Sequence, residues 1–177
     1  MYCLYPEPHI FGEIFCMRII VFLLFLTGSL CFFSCFKKDT GCSYQNDTTV
    51  APTTEQQAVK KYLDSIGVTA TLHPSGFYYN IVSSGYGTVP GVCSRITVTS
   101  IGKLINGSVF DQETDALFTL GGLIPGWKQG LPLISNGGEI KLYIPPTLGF
   151  GSVPKNELIV VPANSILVYD INLLNVQ

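Results

Sequence analysis

Residues 94–105 read SRITVTSIGKLI, and Asn106-Gly107 follows them. Side chains of an extended chain alternate between two faces, so Ile96, Val98, Ser100 and Leu104 share one side. An Asn-Gly pair after such a run is a strong hairpin signal, because both residues tolerate the positive φ of a tight turn. The same period of two returns in residues 139–144, EIKLYI, where Ile140, Leu142 and Ile144 fall together. It returns again in residues 165–174, SILVYDINLL. There Leu167, Tyr169, Ile171 and Leu173 lie on one side, with Asp170 and Asn172 on the other. A shorter aromatic and β-branched run, Phe77 to Val82, sits between Pro74-Ser75-Gly76 and the Gly85-Tyr86-Gly87 turn. One-sided alternation predicts an antiparallel sheet with one wet face. Its apolar face needs a cover. The candidate is the run from Trp127 to Ile134, bounded by Gly126 and the Asn136-Gly137-Gly138 turn.

Upstream the period changes. Ala58, Val59, Tyr62, Leu63 and Ile66 recur at helical spacing, Thr53 with Gln56 fits a capping box, and Gly67 is a stop. The spacing predicts a short amphipathic helix over 54–66 whose apolar side serves packing. Lys37 to Pro52 is polar and reads as a flexible tether. Before it, Ile19 to Phe36 carries no charged residue, with Arg18 in front and Lys37-Lys38 behind. That is the layout of an export signal. The run closes on Ser34-Cys35, similar to a bacterial lipobox, which implies cleavage before Cys35 and a lipid on its sulfur. A retained membrane helix and an ordinary cleaved signal are the rival readings, since 18 apolar residues approach the length that spans a bilayer. A positively charged start fits Met17-Arg18, so residues 1–16 read as an over-long start or a disordered leader. The chain thus divides into a leader (1–16), a signal (17–34), a lipidated Cys with tether (35–52), a helix and strand (53–91) and a main domain (92–177). Of six cysteines, Cys42 and Cys93 remain in the exported part. They form either a disulfide or two partly buried thiols, and an oxidising compartment favours the disulfide.

Composition excludes several functions. Ten Lys and Arg stand against twelve Asp and Glu, so the net charge is −2 with no basic stripe for nucleic acid. A content of 47% hydrophobic and 12% charged residues argues against disorder. Only two histidines occur, His9 and His73. Hydrolase triads and histidine metal sites are therefore improbable, and no metal or cofactor is expected. His73, before Pro74 in a turn, is expected to be solvated and inert.

The order of signals in the C-terminal half is specific. Val109-Phe110-Asp111 follows the Asn-Gly turn. Then come Phe118-Thr119-Leu120-Gly121, Leu123-Ile124-Pro125-Gly126-Trp127, Gly138 to Pro146, Leu148-Gly149-Phe150-Gly151 and Val161 to Asp170. This series, over about 92–176, resembles the FKBP-type peptidyl-prolyl cis–trans isomerases. The resemblance implies an α+β fold: an antiparallel sheet curled around one short helix, extended here by a short N-terminal helix and strand. Matched residue by residue, it implies a pocket of Ser100, Phe110, Asp111, Phe118, Leu123, Ile124, Trp127, Phe150, Val161 and Tyr169. Trp127 would be the floor, and Phe110, Phe118 and Tyr169 the walls. Leu123, Ile124 and Val161 would be aliphatic contacts, and the Ile124 N–H a donor to a substrate carbonyl. The catalytic set so implied is Phe110, Asp111, Trp127, Phe150 and Tyr169. Together with the lipobox at Cys35, the Cys42/Cys93 pair and the N-terminal helix, the chain is similar to exported lipoproteins of this family in Bacteroidetes-like bacteria. That places it in the cell envelope, anchored to a bacterial membrane.

Two positions depart from the family pattern. Phe150 and Ser100 each stand where Tyr is usual, so a hydroxyl for the ligand and a phenol partner for Asp111 are expected to be missing. Each lost hydrogen bond is worth about 0.5–1.5 kcal/mol. The implied partners are proline-containing polypeptides, with macrolide affinity weakened. Packing alternatives stay open. The aromatics and Trp127 also suit a plain core, and Asp111 a turn brace. Three functions are weighed: an isomerase for exported proteins, a prolyl-binding chaperone with little turnover, and an envelope scaffold. Gly151 to Val161 is too short for an inserted domain, and its apolar residues form a candidate client-contacting rim.

Overall fold

A computed structural model describes residues 41–153 and 161–177. The leader, the signal, Cys35 and most of the expected rim, residues 154–160, lie outside the described residues. Strand order is β1-β2-β5-β6-β3-β4, and every pairing is antiparallel. The strands are β1 (Thr71–Leu72), β2 (Tyr78–Ser83), β3 (Arg95–Leu104), β4 (Val109–Thr119), β5 (Glu139–Ile144) and β6 (Leu167–Val176). Helix α1 spans Thr53–Ser65 and α2 spans Pro125–Gly130, the latter followed by a 3₁₀ turn at Leu131–Leu133. The architecture is the expected antiparallel sheet with few short helices, and residues 42–177 form one compact unit.

The alternation sorts the sheet as read. Ile96, Val98, Ile140, Leu142, Ile144, Leu167, Ile171 and Leu173 are all fully buried in one cluster with Trp127 and Leu131. The cover is α2 and its 3₁₀ extension. Gly126 and Gly130 lie four residues apart, on one side of the helix. A Cβ on Gly126 would sit 2.8 Å from Ile144, and one on Gly130 would sit 2.9 Å from Leu142. The helix therefore lies directly on β5, which sets the depth of Trp127.

The other sheet face is not wholly wet. Val59 and Leu63 of α1 pack on Tyr78, Tyr143 and Val168. Fully burying a side chain of this size stabilises by about 1.5–3 kcal/mol. The helix ends on Gly67 at φ +66, with Gly67 N–H donating to Asp64 O and Val68 N–H to Leu63 O. That is a Schellman motif, and Val68 packs in the Leu63 cluster. The capping box does not form: Pro52 is the N-cap and no side chain caps the helix. Gln56 instead donates its amide to Ala51 O at 2.8 Å, stapling the helix to the preceding segment. Glu55 accepts from both the N–H and the hydroxyl of Thr147, which ties α1 to the turn before Gly149 and Phe150.

Two further expectations change. Of the presumed tether, residues 42–52 are a strap. Cys42 is joined to Cys93, Asp47 pairs with Lys128 at 2.5 Å, and Ala51 is buried with its N–H on Ser75 O. His73 is half-buried rather than solvated. It stacks on Phe77 at 4.4 Å and hydrogen-bonds Ser75, and burial lowers its pKa.

Candidate functional site

Between α2 and the concave sheet face lies a cavity of about 670 Å³. Trp127 and Tyr169 form its base, with Phe118 and Phe150 beside them, and Leu123 and Ile124 at the mouth of α2. Asp111 also lines it. The rings meet edge to face, the arrangement aromatic quadrupoles favour. Tyr169 stands 5.1 Å from Trp127 and 5.5 Å from Phe110, and Phe110 stands 6.1 Å from Phe150. Phe118 is 6.5 Å from Trp127. Phe110 backs the cavity rather than lining it. Val161 packs in the core, and Ser100 is buried beneath with no partner for its hydroxyl among the described residues. Glu113, Gly122, Gly149 and Val153 line the cavity and were not expected. Glu113 carried no signal of its own in the sequence.

Strand β4 aims the polar side of the site, and it does so through two bulges. Gly102 pairs with Asp111 but Lys103 pairs with Val109, so Phe110 is one residue in excess. In a regular strand Phe110 and Asp111 would point to opposite faces. The bulge turns both toward the site, as bulges commonly do near functional centres. Further along, Val98 pairs with Ala116 and Ser100 with Glu113, leaving Thr114 and Asp115 opposite Thr99. Asp115 takes φ 50, and its N–H donates to the Thr99 hydroxyl oxygen.

Gly102 is the centre of the arrangement. Asp111 on β4 and Tyr169 on β6 both pair with it, from opposite sides. A Cβ there would lie 2.8 Å from Phe110 and Tyr169, and 3.0 Å from the Asp111 Cβ. With no side chain between them, the two neighbours reach across and meet. Burial, the charge of Asp111 and a hydrogen bond to its carboxylate together push the Tyr169 phenol far above the usual tyrosine range. Asp111 therefore keeps a phenol partner after all. It comes from β6 rather than from position 100, because Gly102 opens the path.

Ile124 is extended (φ −62, ψ 152), and its carbonyl accepts from Trp127 and Lys128 at the start of α2. No backbone hydrogen bond among the described residues uses its own N–H. The strap buttresses this corner from behind. Tyr44 packs on Gly121, where a Cβ would fall 2.3 Å from its ring, and Gln129 donates to Thr49 O. Burial opposes ionisation of Asp47. The Lys128 ammonium and the Thr49 hydrogen bonds outweigh it, bringing that carboxyl down to about 2.

The build is thus an antiparallel sheet packed on one short helix, with a ring-lined cavity between them. Known proteins of this build share the sequence as well. A family model described as FKBP-type peptidyl-prolyl cis-trans isomerase matches residues 88–174. The FKBP-type peptidyl-prolyl cis-trans isomerase FkpA of Buchnera aphidicola subsp. Schizaphis graminum is 42% identical over 67% of this chain and 47% of its own length. The crystal structure of FkpA from Escherichia coli superposes with a TM-score of 0.61 at 34% identity, covering 71% of this chain and 60% of that one. The crystal structure of AtFKBP13 gives 0.55 at 30% identity, covering 60% of this chain and 98% of that one. The chain belongs to the FKBP-type peptidyl-prolyl cis-trans isomerase family. It spans about half the length of the curated relatives it matches.

Proposed function

We propose that the chain is a peptidyl-prolyl cis–trans isomerase that assists the folding of exported proteins. The observation that carries this is the ring-lined cavity over Trp127, closed by Tyr169, Phe118 and Phe150. Rotation about an X-Pro bond faces a barrier of about 18–20 kcal/mol set by amide resonance. The planar amide is more dipolar than the twisted one. A cavity with apolar walls solvates the planar form poorly and so favours the twisted transition state. Trp127 and Tyr169 hold the prolyl ring while the preceding residue turns. The Ile124 N–H is placed to take a peptide carbonyl. Asp111 presents the fixed charge of the site, held by Tyr169.

The apolar run ending at Ser34-Cys35 supports export, cleavage and lipidation at Cys35. The protein then acts at the cell envelope, anchored to a bacterial membrane, as in the lipoproteins it resembles. Its partners are proline-containing polypeptides. Macrolides bind weakly, for want of the hydroxyl that Phe150 lacks. A second reading, a prolyl-binding module with little turnover, is favoured by that same Phe150.

Exchange NMR on a short Xaa-Pro peptide separates the two. Acceleration by the native chain, abolished in the Trp127→Ala/Phe110→Ala double variant, supports the isomerase. Shift changes without acceleration, and turnover gained by Phe150→Tyr, support the binding module.

A further inference from the structure

The charge on the β4 side of the cavity is of one sign. Asp111 and Glu113 both line it, two residues apart on β4, and Asp115 follows on the bulge. Residues 109–119 contain three carboxylates and no Lys or Arg. No cation among the described residues lines the cavity. The lysines of the neighbouring elements are engaged elsewhere: Lys103 and Lys141 with Asp170, and Lys128 with Asp47. Asp111 has the Tyr169 phenol. Glu113 has neither a hydrogen bond nor an ion pair among the described residues. It is half-buried, at the edge of a ring-lined cavity. A carboxylate in a cleft with low-dielectric walls acts over a longer range than one on an open surface.

We propose that Glu113, seconded by Asp111, is a specificity-determining residue. It selects prolyl segments that carry Lys or Arg beside the proline, and rejects those that carry Asp or Glu there. The apolar cavity holds the ring and is indifferent to charge. The unpaired carboxylate beside it reads the neighbouring side chain. This rests on the reading of the cavity as a prolyl-peptide site, and it adds the chemical class of segment that the site prefers.

The test uses the full-length chain and two sets of capped tetrapeptides. One set is Ala-Xaa-Pro-Ala and the other Ala-Pro-Xaa-Ala, with Xaa as Lys, Gln or Glu. Exchange rates and shift-derived affinities are read on the same samples at low ionic strength. Lys is expected to exceed Glu by about tenfold in at least one set, the factor that about 1.4 kcal/mol of charge interaction supplies. The ratio should shrink in 1 M salt, where the screening length falls to about 3 Å. It should fall to about threefold in Glu113→Gln and invert in Glu113→Lys. Each ratio is taken within one variant, so a loss of folded protein cancels. Equal acceleration and binding of Lys and Glu peptides in both sets overturns the inference and leaves the isomerase reading standing. So does a preference that survives Glu113→Lys. Charge-dependent binding without acceleration does the reverse. Peptides that neither bind nor turn over overturn both.

Discussion

Gly102 decides more at the site than any residue that lines it. Its missing side chain lets Asp111 and Tyr169 meet from strands on either side. In Gly102→Ala the new methyl meets two rings and a Cβ at 3.0 Å or less. Overpacking of this sort costs about 1–3 kcal/mol. Urea unfolding should show that loss, together with weaker peptide binding as the rings are pushed apart. Removing the phenol is a separate test. Tyr169→Phe leaves Asp111 without its partner and should cost about 1–3 kcal/mol. The pH dependence gives the sign. The folded phenol titrates far above its unfolded value of about 10. Its contribution is complete below pH 10 and declines as pH rises above that value, because the unfolded chain then sheds a proton that the folded chain retains. The native protein should therefore lose stability from pH 10 upward, and Tyr169→Phe should lose less over the same range. Equal alkaline profiles would mean that neither burial nor Asp111 raises the phenol in the folded chain. Ser100 is the opposite case. Its buried hydroxyl has no partner among the described residues, so Ser100→Ala should stabilise by about 1 kcal/mol.

At the scale of elements, some of this was legible and some was not. Strands β3, β5 and β6 were readable because the core face of each is mostly apolar at every second residue, even though α1 also buries Tyr143 of β5 and Val168 of β6 on the other face. Strand β4 was not readable. Two bulges break its period, and its centre, Gln112 to Asp115, is polar. The family resemblance supplied Phe110, Asp111 and Phe118, while Glu113, between them, went unread. The strap was misread for another reason. Its polar composition is that of a linker, and what orders it is a disulfide to a residue 51 positions away and an ion pair to Lys128, farther still along the chain. No local pattern reports such a partner. The strap's pH behaviour follows from Asp47, whose folded carboxyl lies near 2 against an unfolded value of about 3.9. A depressed carboxyl stabilises above the unfolded value and loses that contribution as pH falls toward 2. Acid titration followed by the Tyr44 and Gln129 resonances should show the strap loosening between about pH 4 and 2. Asp47→Asn should remove that transition while leaving a strap already weakened at neutral pH. An unchanged acid transition would show that another group governs it.

For the whole molecule, the question is what the disulfide does once the sheet is formed. Cys42 and Cys93 are 51 residues apart in sequence, and their Cα atoms lie 5.7 Å apart. The loop they close contains the strap, α1, β1 and β2, which together cover the outer face and extend the sheet beyond β5. On the chain-entropy account, closing a loop of this length in the unfolded state stabilises the fold by about 4 kcal/mol. The residues that line the cavity come instead from β4, α2, β6 and the segments around Leu123 and Phe150, outside the loop. Stability and site geometry should therefore separate. The Cys42→Ser/Cys93→Ser variant is expected to unfold at much lower urea, by up to that amount. Below its transition it should bind a prolyl peptide within about threefold of the native affinity, a difference of only about 0.7 kcal/mol. A large loss of binding by protein that remains folded would mean that the strap, through Tyr44 against Gly121 and Lys128 on α2, holds the mouth of the cavity open. Unchanged stability would mean that the unfolded chain keeps these segments together without the bond, so that the loop closure has little entropy left to remove.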